Sequence, residues 1–166
     1  MNLSPEKPLV SFRQEPTPGD VAAIEQLAKD TGFFSPAEVA VARELVEESL
    51  ERGVIAGYLF VLAEINGELV GFACYGEIPA TEQRYDLYWI IVSPRHQRLG
   101  IGTRILAEAE AAILELGGRK IYIETSSKPL YESTRNFYLA SGYEQAANLP
   151  DFYQDGDGKL IYVKSL

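Results

Sequence analysis

Cysteine and histidine are nearly absent from this sequence of 166 residues, which has one of each. A single cysteine, Cys74, excludes an internal disulfide and any multi-cysteine metal site. One histidine without a cysteine cluster argues against structural zinc. Cys74 lies in an apolar run, which predicts a buried packing residue rather than a reactive thiol. We therefore expect one ordinary domain, spanning residues 1–166, that folds without disulfides or metal.

Positive charge is also scarce. The sequence has 15 Lys and Arg against 24 Asp and Glu, a net charge of −9, and nucleic-acid binding is not expected because it requires a basic face. Residues 1–12 lack a basic stretch followed by an apolar segment, so no secretory signal is predicted. The longest apolar run, residues 57–63, is too short to cross a bilayer. We expect a cytoplasmic protein without a membrane partner.

The first half of the sequence predicts a strand, two helices and a β-hairpin. One helix has its N-cap at Asp20, and the next begins with a capping box formed by Ser35 and Glu38. Asn66 and Gly67 separate two β-rich runs and form the strongest short-range hairpin signal. In chain order the segments are strand 9–13, helix 20–32, helix 35–53, strand 57–65 and strand 68–78.

The second half predicts two more helices among four strands. The strands are 86–92, 120–125, 143–147 and 160–164, and the helices are 102–116 and 132–141. The first of these helices places five apolar residues on one face, namely Ile105, Ala109, Ala112, Ile113 and Leu116. The element order β-α-α-β-β-β-α-β-α-β-β predicts an α/β fold with a mixed sheet and helices on both faces.

Residues 92–103 carry the most informative pattern: a strand end, a basic loop with two glycines, and a helix start. Such a loop directs several backbone N–H groups the same way at a helix N-terminus, where the dipole favours negative charge. Gly100 and Gly102 allow close approach of a ligand and a positive φ, and Arg95 and Arg98 add charge. The pattern predicts a phosphate or diphosphate site, with a plain glycine-rich connection as the alternative.

The residues after the glycines restrict the kind of phosphate loop. A P-loop requires Lys followed by Ser or Thr, whereas Thr103 and Arg104 follow here. A dinucleotide-binding fingerprint requires a small third residue where Ile105 lies, although Glu124 ends the next strand, where a ribose-binding acid would be. A nucleotide-binding module therefore stays open as an alternative. His96, in the same loop, is expected to face solvent.

Two stretches resemble one family. QRLGIG at residues 97–102 is similar to the Gln/Arg-x-x-Gly-x-Gly/Ala motif of the GNAT superfamily of acetyl-CoA-dependent N-acetyltransferases, which follows a strand ending in Val-x-Pro, as at residues 92–94. RNFYLASGY at residues 135–143 is similar to the family's later Tyr-x-x-x-Gly-Phe/Tyr stretch. The resemblance spans residues 86–143 and implies a mostly antiparallel central sheet of about seven strands.

The resemblance also implies acetyl-CoA as acyl donor and no metal. Backbone N–H groups of residues 97–103, hereafter the glycine loop, would hold the diphosphate of coenzyme A, and main-chain groups of the preceding strand would pair with the pantetheine arm. Many relatives carry asparagine where this sequence has Tyr131, which alters one pantetheine contact. The implied cofactor-binding residues are Ile91, Val92, Gln97, Arg98, Leu99, Gly100, Ile101, Gly102, Thr103, Tyr131 and Tyr138.

Acetyl transfer needs a base, an oxyanion donor and an acid. A lysine-like amine has a pKa of about 10.4, so a nearby base helps it to attack. Asp86 matches a glutamate of histone-acetylating relatives and is the preferred base, with Glu124 and Glu77 as alternatives and a solvent-facing role as the other interpretation. A backbone N–H near Ile90 would stabilise the oxyanion. Tyr138 matches the tyrosine that points at the coenzyme sulfur, although such a residue also packs in cores.

The acceptor is expected to be a primary amine of a small molecule, an amino acid, or a peptide or protein, acetylated directly in a ternary complex. The acidic segment 149–159 is predicted as a hairpin turn, since its spacing does not fit a calcium loop. Its residues Phe152, Tyr153 and Asp155 are candidates for binding a cationic amine. A homodimer is a further expectation. The competing hypothesis is a non-catalytic acyl-CoA sensor on the same fold.

Overall fold

The computed structural model describes residues 8–166. Positions 1–7, which are part of the segment predicted to contain no secretory signal, lie outside the described residues. The described strands are β1 (Ser11–Arg13), β2 (Leu59–Ile65), β3 (Glu68–Glu77), β4 (Arg84–Val92), β5 (Lys120–Ser126), β6 (Glu144–Gln154) and β7 (Asp157–Ser165). The α-helices are α1 (Pro18–Asp30), α2 (Pro36–Arg52), α3 (Ile101–Glu115) and α4 (Glu132–Ala140). This element order is the one predicted from the sequence.

The strands form one mixed sheet, ordered β1-β2-β3-β4-β5-β7-β6. The pairs β1–β2, β5–β7 and β6–β7 are antiparallel, whereas β4 and β5 run parallel. The predicted α/β class with a mostly antiparallel sheet of seven strands is confirmed. Among the described helices, none has the length and apolar character needed to span a membrane.

The described residues divide into two compact units, of which the first comprises residues 8–74 and 89–109. Apolar side chains from α1, α2 and strands β2 to β4 form its core, including Ile24, Val46, Phe60, Leu62, Phe72 and Ile91. Cys74 is fully buried in this core, and burial raises the pKa of its thiol. The thiol therefore stays protonated, which agrees with the predicted packing role.

The second unit comprises residues 75–88 and 110–166. Within it, the Lys164 ammonium lies 2.9 Å from both carboxylate oxygens of Glu110, and the Tyr143 hydroxyl donates to the same carboxylate at 3.1 Å. Burial, with Glu110 next, raises the pKa of Tyr143, so the phenol remains a donor. These bonds connect the last half of α3 with β7 and with the residue before β6.

Helix α2 and the hairpin begin as predicted. The Ser35 N–H donates to Glu38 Oε2 at 2.7 Å, and the Glu38 N–H donates to Ser35 Oγ at 3.2 Å, which completes the capping box. Asn66 and Gly67 have φ values of 52° and 78°, the positive pair that a two-residue hairpin turn requires. Local side-chain chemistry was sufficient for both predictions.

The predicted N-cap of α1 was wrong. Thr17 is the N-cap and Pro18 the first helical residue, which places Asp20 at the third position. The Asp20 carboxylate accepts a hydrogen bond from the Thr17 N–H at 2.7 Å. It also accepts hydrogen bonds from both terminal nitrogens of Arg13, at 2.6 and 2.7 Å. Asp20 is thus the third-position partner of a capping box with Thr17, and it also binds Arg13, seven residues earlier.

Two further sequence predictions are corrected. Leu116 is 57% exposed; it directly follows the last residue of α3, and its N–H still donates to the carbonyl of Ala112 at 3.1 Å. The segment predicted as a turn at 149–159 is mostly strand, and the turn itself is Asp155–Gly156 between β6 and β7. Nearly all of β6 is exposed, so the alternation that marks a half-buried strand is missing from its sequence.

Gly71 on β3 has no room for a side chain. A Cβ there would lie 2.8 Å from the backbone oxygen of Ile91 and 2.8 Å from Cδ1 of Ile105. Because backbone cannot yield easily, Gly71→Ala is expected to lower the free energy of unfolding by about 1–3 kcal/mol. Gly19→Ala is the matched control, since its nearest neighbour would be 3.9 Å away. Chemical denaturation measures both, and equal stabilities of the two variants would contradict the prediction.

Candidate active site

The start of the glycine loop is fixed by backbone hydrogen bonds. After β4 ends at Val92, the Ser93 N–H donates to the carbonyl of Val70 at 2.8 Å. Pro94–His96 then form one 3₁₀ turn, in which the His96 N–H donates to the carbonyl of Ser93 at 2.8 Å. The chain is therefore anchored on β3 immediately before the loop begins.

The glycine loop itself leaves its backbone donors unused. Arg98 and Gly100 have φ values of 64° and 76°, which reverse the chain just before α3. Within residues 8–166, no protein group accepts a hydrogen bond from the N–H groups of residues 97–103, and the first helical bond runs from the Arg104 N–H to the carbonyl of Gly100 at 3.2 Å. The first turn of α3 has no acidic residue. The arrangement suits an anion.

Two expectations for this loop need correction. Gly102 lies inside α3 and does not have a positive φ, so its missing side chain leaves space for a ligand but is not required by the backbone. The residue that does take the left-handed conformation beside Gly100 is Arg98. His96 is half-buried rather than exposed, and its Nδ1 is sealed without a hydrogen-bond partner among the described residues.

Asp86 lies where the pairing of two strands ends. The parallel register matches Arg84–Asp86 with residues 120–122, the first three residues of each strand, although β4 continues to Val92 and β5 to Ser126. Asp86 is half-buried. Burial raises the pKa of its carboxyl, and the Glu124 carboxylate raises it further, while Lys159 acts in the opposite direction. Its carboxylate is thus a stronger proton acceptor than that of an exposed aspartate.

Glu124, the competing base, is already engaged. The Lys159 ammonium on β7 lies 2.8 Å from Glu124 Oε2. The antiparallel register places Glu124 opposite Ile161, two residues from Lys159, so both side chains lie on one face of the sheet. The Glu124 charge raises the pKa of the Asp86 carboxyl, and the Lys159 charge lowers it. Glu124 is thus paired with a lysine that the sequence analysis did not single out, and the charges of both residues reach Asp86.

The aromatic residues of the last hairpin face the same lysine. The Lys159 ammonium lies 3.8 Å from the ring centre of Phe152 and 5.7 Å from that of Tyr153. Burial first, and then Glu124, raise the pKa of the Tyr153 hydroxyl. Asp155 is exposed in the turn, and no hydrogen bond or ion pair places it with this group in the described chain.

Tyr138 on α4 is almost fully buried, with 5% of its surface exposed. Its ring packs against those of Phe137, Tyr143 and Tyr162 at centroid distances of 5.7 to 6.1 Å. Burial raises the pKa of its hydroxyl, so the phenol stays protonated at neutral pH. The ring is thus a core residue, as one interpretation of the sequence expected, and the role of the hydroxyl as an acid stays a prediction.

The segment before α4 is held by one arginine. Arg135 Nη1 donates to the carbonyls of Ser126 and Lys128, both at 2.8 Å. The Ser126 hydroxyl is hydrogen-bonded to the buried Asp157 carboxylate. Tyr131, at the position where relatives have asparagine, ends a 3₁₀ turn here and is half-buried. Arg135 of α4 and Asp157 of β7 thus fix the segment that leads into this 3₁₀ turn.

The remaining sequence candidates have less distinctive surroundings. Ile90 is half-buried on β4, and Ile91 is buried in the core of the first unit. Glu77 is exposed at the end of β3, where its charge contributes to raising the pKa of Tyr85. Nothing distinguishes Glu77 as a base in preference to Asp86.

Comparison with known proteins decides the family. The sequence model of the Acetyltransferase (GNAT) family matches residues 21–143. The chain belongs to the GNAT family. A crystal structure described as a GNAT-family acetyltransferase from Desulfovibrio desulfuricans is 43% identical, with a TM-score of 0.93 over 95% of this chain and 99% of that one. An N-alpha-acetyltransferase of Sulfurisphaera tokodaii is 28% identical over 64% of this chain and 69% of its own.

This GNAT protein is therefore an N-acetyltransferase. A further structural neighbour is the PaiA N-acetyltransferase of Thermoplasma acidophilum in complex with coenzyme A, 19% identical with a TM-score of 0.73 over 95% of this chain and 99% of that one. At that identity the likeness concerns the fold alone. The glycine loop lies inside the part of the chain that the family model matches.

Proposed function

We propose that this N-acetyltransferase transfers the acetyl group of acetyl-CoA directly to a primary amine in a ternary complex. The observation that carries the proposal is the glycine loop, whose N–H groups at residues 97–103 have no protein acceptor in the described chain. They lie at the N-terminus of α3, where a diphosphate is favoured by both hydrogen bonding and the helix dipole. Coenzyme A has such a diphosphate, and its thioester supplies the activated acetyl group.

The glycine loop would hold the diphosphate without a metal. Gln97, Leu99, Ile101 and Thr103 would contribute backbone N–H groups, while Arg98 and Gly100 set the reversal of the chain. Main-chain groups of Ile91 and Val92 would pair with the pantetheine arm, and the N–H of Ile90 would donate to the developing oxyanion. Tyr131 would contact the pantetheine arm with its ring, at the position where many relatives use an asparagine side chain.

Asp86 is the base that the electrostatics favour. Its carboxyl has a raised pKa, and a stronger base removes the proton of an ammonium more readily. Glu124 forms an ion pair with the Lys159 ammonium at 2.8 Å, and its charge is one of the causes that raise the pKa of Asp86. Asp86 would therefore accept the acceptor's proton, directly or through water, and Glu124 would contribute negative charge.

Tyr138 is the proposed acid for the departing thiolate. Its hydroxyl stays protonated because burial raises its pKa. Within the described chain this hydroxyl makes no hydrogen bond to another residue, and its oxygen keeps a small area accessible to solvent. A buried but reachable phenol can donate a proton to a sulfur that gains negative charge as the thioester breaks.

Two measurements test the function. Thermal unfolding with acetyl-CoA, free coenzyme A, NAD and ATP is expected to show stabilisation by the coenzyme A compounds alone, about 2.7 kcal/mol at a hundredfold excess over Kd. Release of free thiol in the presence of a panel of primary amines then reports transfer. Stabilisation by NAD or ATP would favour a nucleotide-binding module, and coenzyme binding without thiol release would favour an acyl-CoA sensor.

Tyr138→Phe is expected to lower kcat by roughly a hundredfold, the scale of a lost general acid, with the Kd for acetyl-CoA nearly unchanged. Tyr162→Phe is the matched control, because Tyr162 is equally buried in the same aromatic group but has no proposed role. Steady-state kinetics and calorimetry measure the two effects. Full activity of Tyr138→Phe would remove this residue from the mechanism.

A further inference from the structure

Lys159 of β7 holds its ammonium group in a site built from three side chains. The ammonium lies 2.8 Å from Glu124 Oε2, 3.8 Å from the ring centre of Phe152 and 5.7 Å from that of Tyr153. We call Glu124, Phe152 and Tyr153 the ammonium box. A carboxylate and the faces of aromatic rings are the groups with which proteins bind alkylammonium ions.

We propose that the ammonium box is the acceptor subsite and that Lys159 occupies it until an acceptor's ammonium displaces it. The inference rests on the proposed function, since it assigns the place of the amine in that reaction. In the free protein Lys159 then acts as an intramolecular competitor. A primary alkylammonium with the shape of a lysine side chain is the ligand class, because an unbranched four-carbon ammonium is what the box already holds.

Exposure supports an exchange of occupants. The side chain of Glu124 is 51% exposed, and Phe152 and Tyr153 are 53% and 48% exposed, whereas the Lys159 side chain is only 13% exposed. About half of each box side chain is therefore open to solvent, whereas most of the Lys159 side chain is covered. An incoming ammonium can contact the carboxylate and the rings before the lysine leaves.

The charges around the box favour replacement by another cation. Glu124 and the half-buried Asp86 interact across this face, and Lys159 offsets their repulsion. The Lys128 ammonium is paired with Asp157, also on β7, at 3.6 Å, so this lysine is engaged outside the box. When Lys159 withdraws, Asp86 and Glu124 lose that compensation, and an acceptor ammonium restores it beside the proposed base.

The test is equilibrium binding of n-butylammonium in the absence of acetyl-CoA, measured by calorimetry on the full chain. Lys159→Met keeps the apolar stem and removes the competing charge, so it is expected to bind n-butylammonium at least tenfold more tightly than the natural protein. Adding Glu124→Gln to Lys159→Met should reverse that gain. Lys159→Gln provides a second variant if the methionine variant does not fold.

Lys164→Met is the matched control. Lys164 lies on the same strand and also contacts a carboxylate, Glu110, and an aromatic ring, Tyr143, but it is outside the box. Its replacement is expected to leave n-butylammonium binding unchanged. Equal binding by Lys159→Met, Lys159→Gln and the natural protein would overturn the proposal, as would the same gain in Lys164→Met.

Steady-state kinetics give an independent readout. With n-butylamine as acceptor, Lys159→Met should lower KM for the amine about tenfold and leave KM for acetyl-CoA unchanged, a separation that loss of a merely structural ion pair would not produce. Because the binding assay contains no acetyl-CoA, absence of transfer to every amine of the panel in every variant would refute the proposed function alone. Active enzyme with unaltered ammonium binding in both Lys159 variants would refute the box alone.

Discussion

Gly102→Glu is expected to abolish binding of acetyl-CoA while leaving the protein folded. Gly102 lies in the first turn of α3 with ordinary helical backbone, so glutamate fits the conformation, and a carboxylate is favourable at a helix N-terminus. The same carboxylate would stand among the N–H groups proposed for the diphosphate and repel it. We expect affinity to fall at least about a hundredfold, or roughly 2.8 kcal/mol.

Ala107→Glu supplies the control for this experiment. Ala107 is exposed on the same helix, so the variant adds the same charge away from the loop and is expected to bind acetyl-CoA normally. Thermal unfolding without ligand should show both variants folded. If Gly102→Glu retains natural affinity in calorimetry, the glycine loop is not the diphosphate site, and the proposed function loses the observation that carries it.

Asp86→Asn is expected to lower kcat/KM by roughly 10²- to 10⁴-fold, the range for loss of a general base, without lowering stability at neutral pH. The direction of the effect on stability follows from the raised pKa of the Asp86 carboxyl. A carboxyl whose pKa is higher in the folded state destabilises the fold as pH rises from its unfolded pKa through its folded pKa, and the cost is fully present above both. Asparagine removes that cost.

Glu124→Gln separates the two candidate bases. If Asp86 is the base, kcat/KM of the natural protein falls on the acid side as Asp86 takes up a proton, and this limb disappears in Asp86→Asn but persists in Glu124→Gln. Profiles of kcat/KM against pH for the three proteins measure this. Loss of the acid limb in Glu124→Gln, with the limb retained in Asp86→Asn, would transfer the role to Glu124.

Much of the fold could be predicted because its signals are local. The capping box of Ser35 and Glu38 and the positive φ pair at Asn66 and Gly67 are specified by a few adjacent residues, and the structure has both. The start of α1 was predicted wrongly although its signal is also local. Asp20 has the chemistry of an N-cap, yet it lies at the third helical position, where its carboxylate accepts a hydrogen bond from the Thr17 N–H and binds Arg13, seven residues earlier.

Part of the candidate site could likewise be predicted from the sequence, and part could not. Sequence alone located the glycine loop, because the strand, the glycines and the helix start are consecutive in the chain and such a loop places several backbone N–H groups at a helix N-terminus. Tertiary structure alone decided that Glu124 pairs with Lys159, that the ring centre of Phe152 lies 3.8 Å from its ammonium and that Tyr138 is buried. Those contacts depend on the register of strands far apart in the chain, and no local pattern of residue types encodes that register.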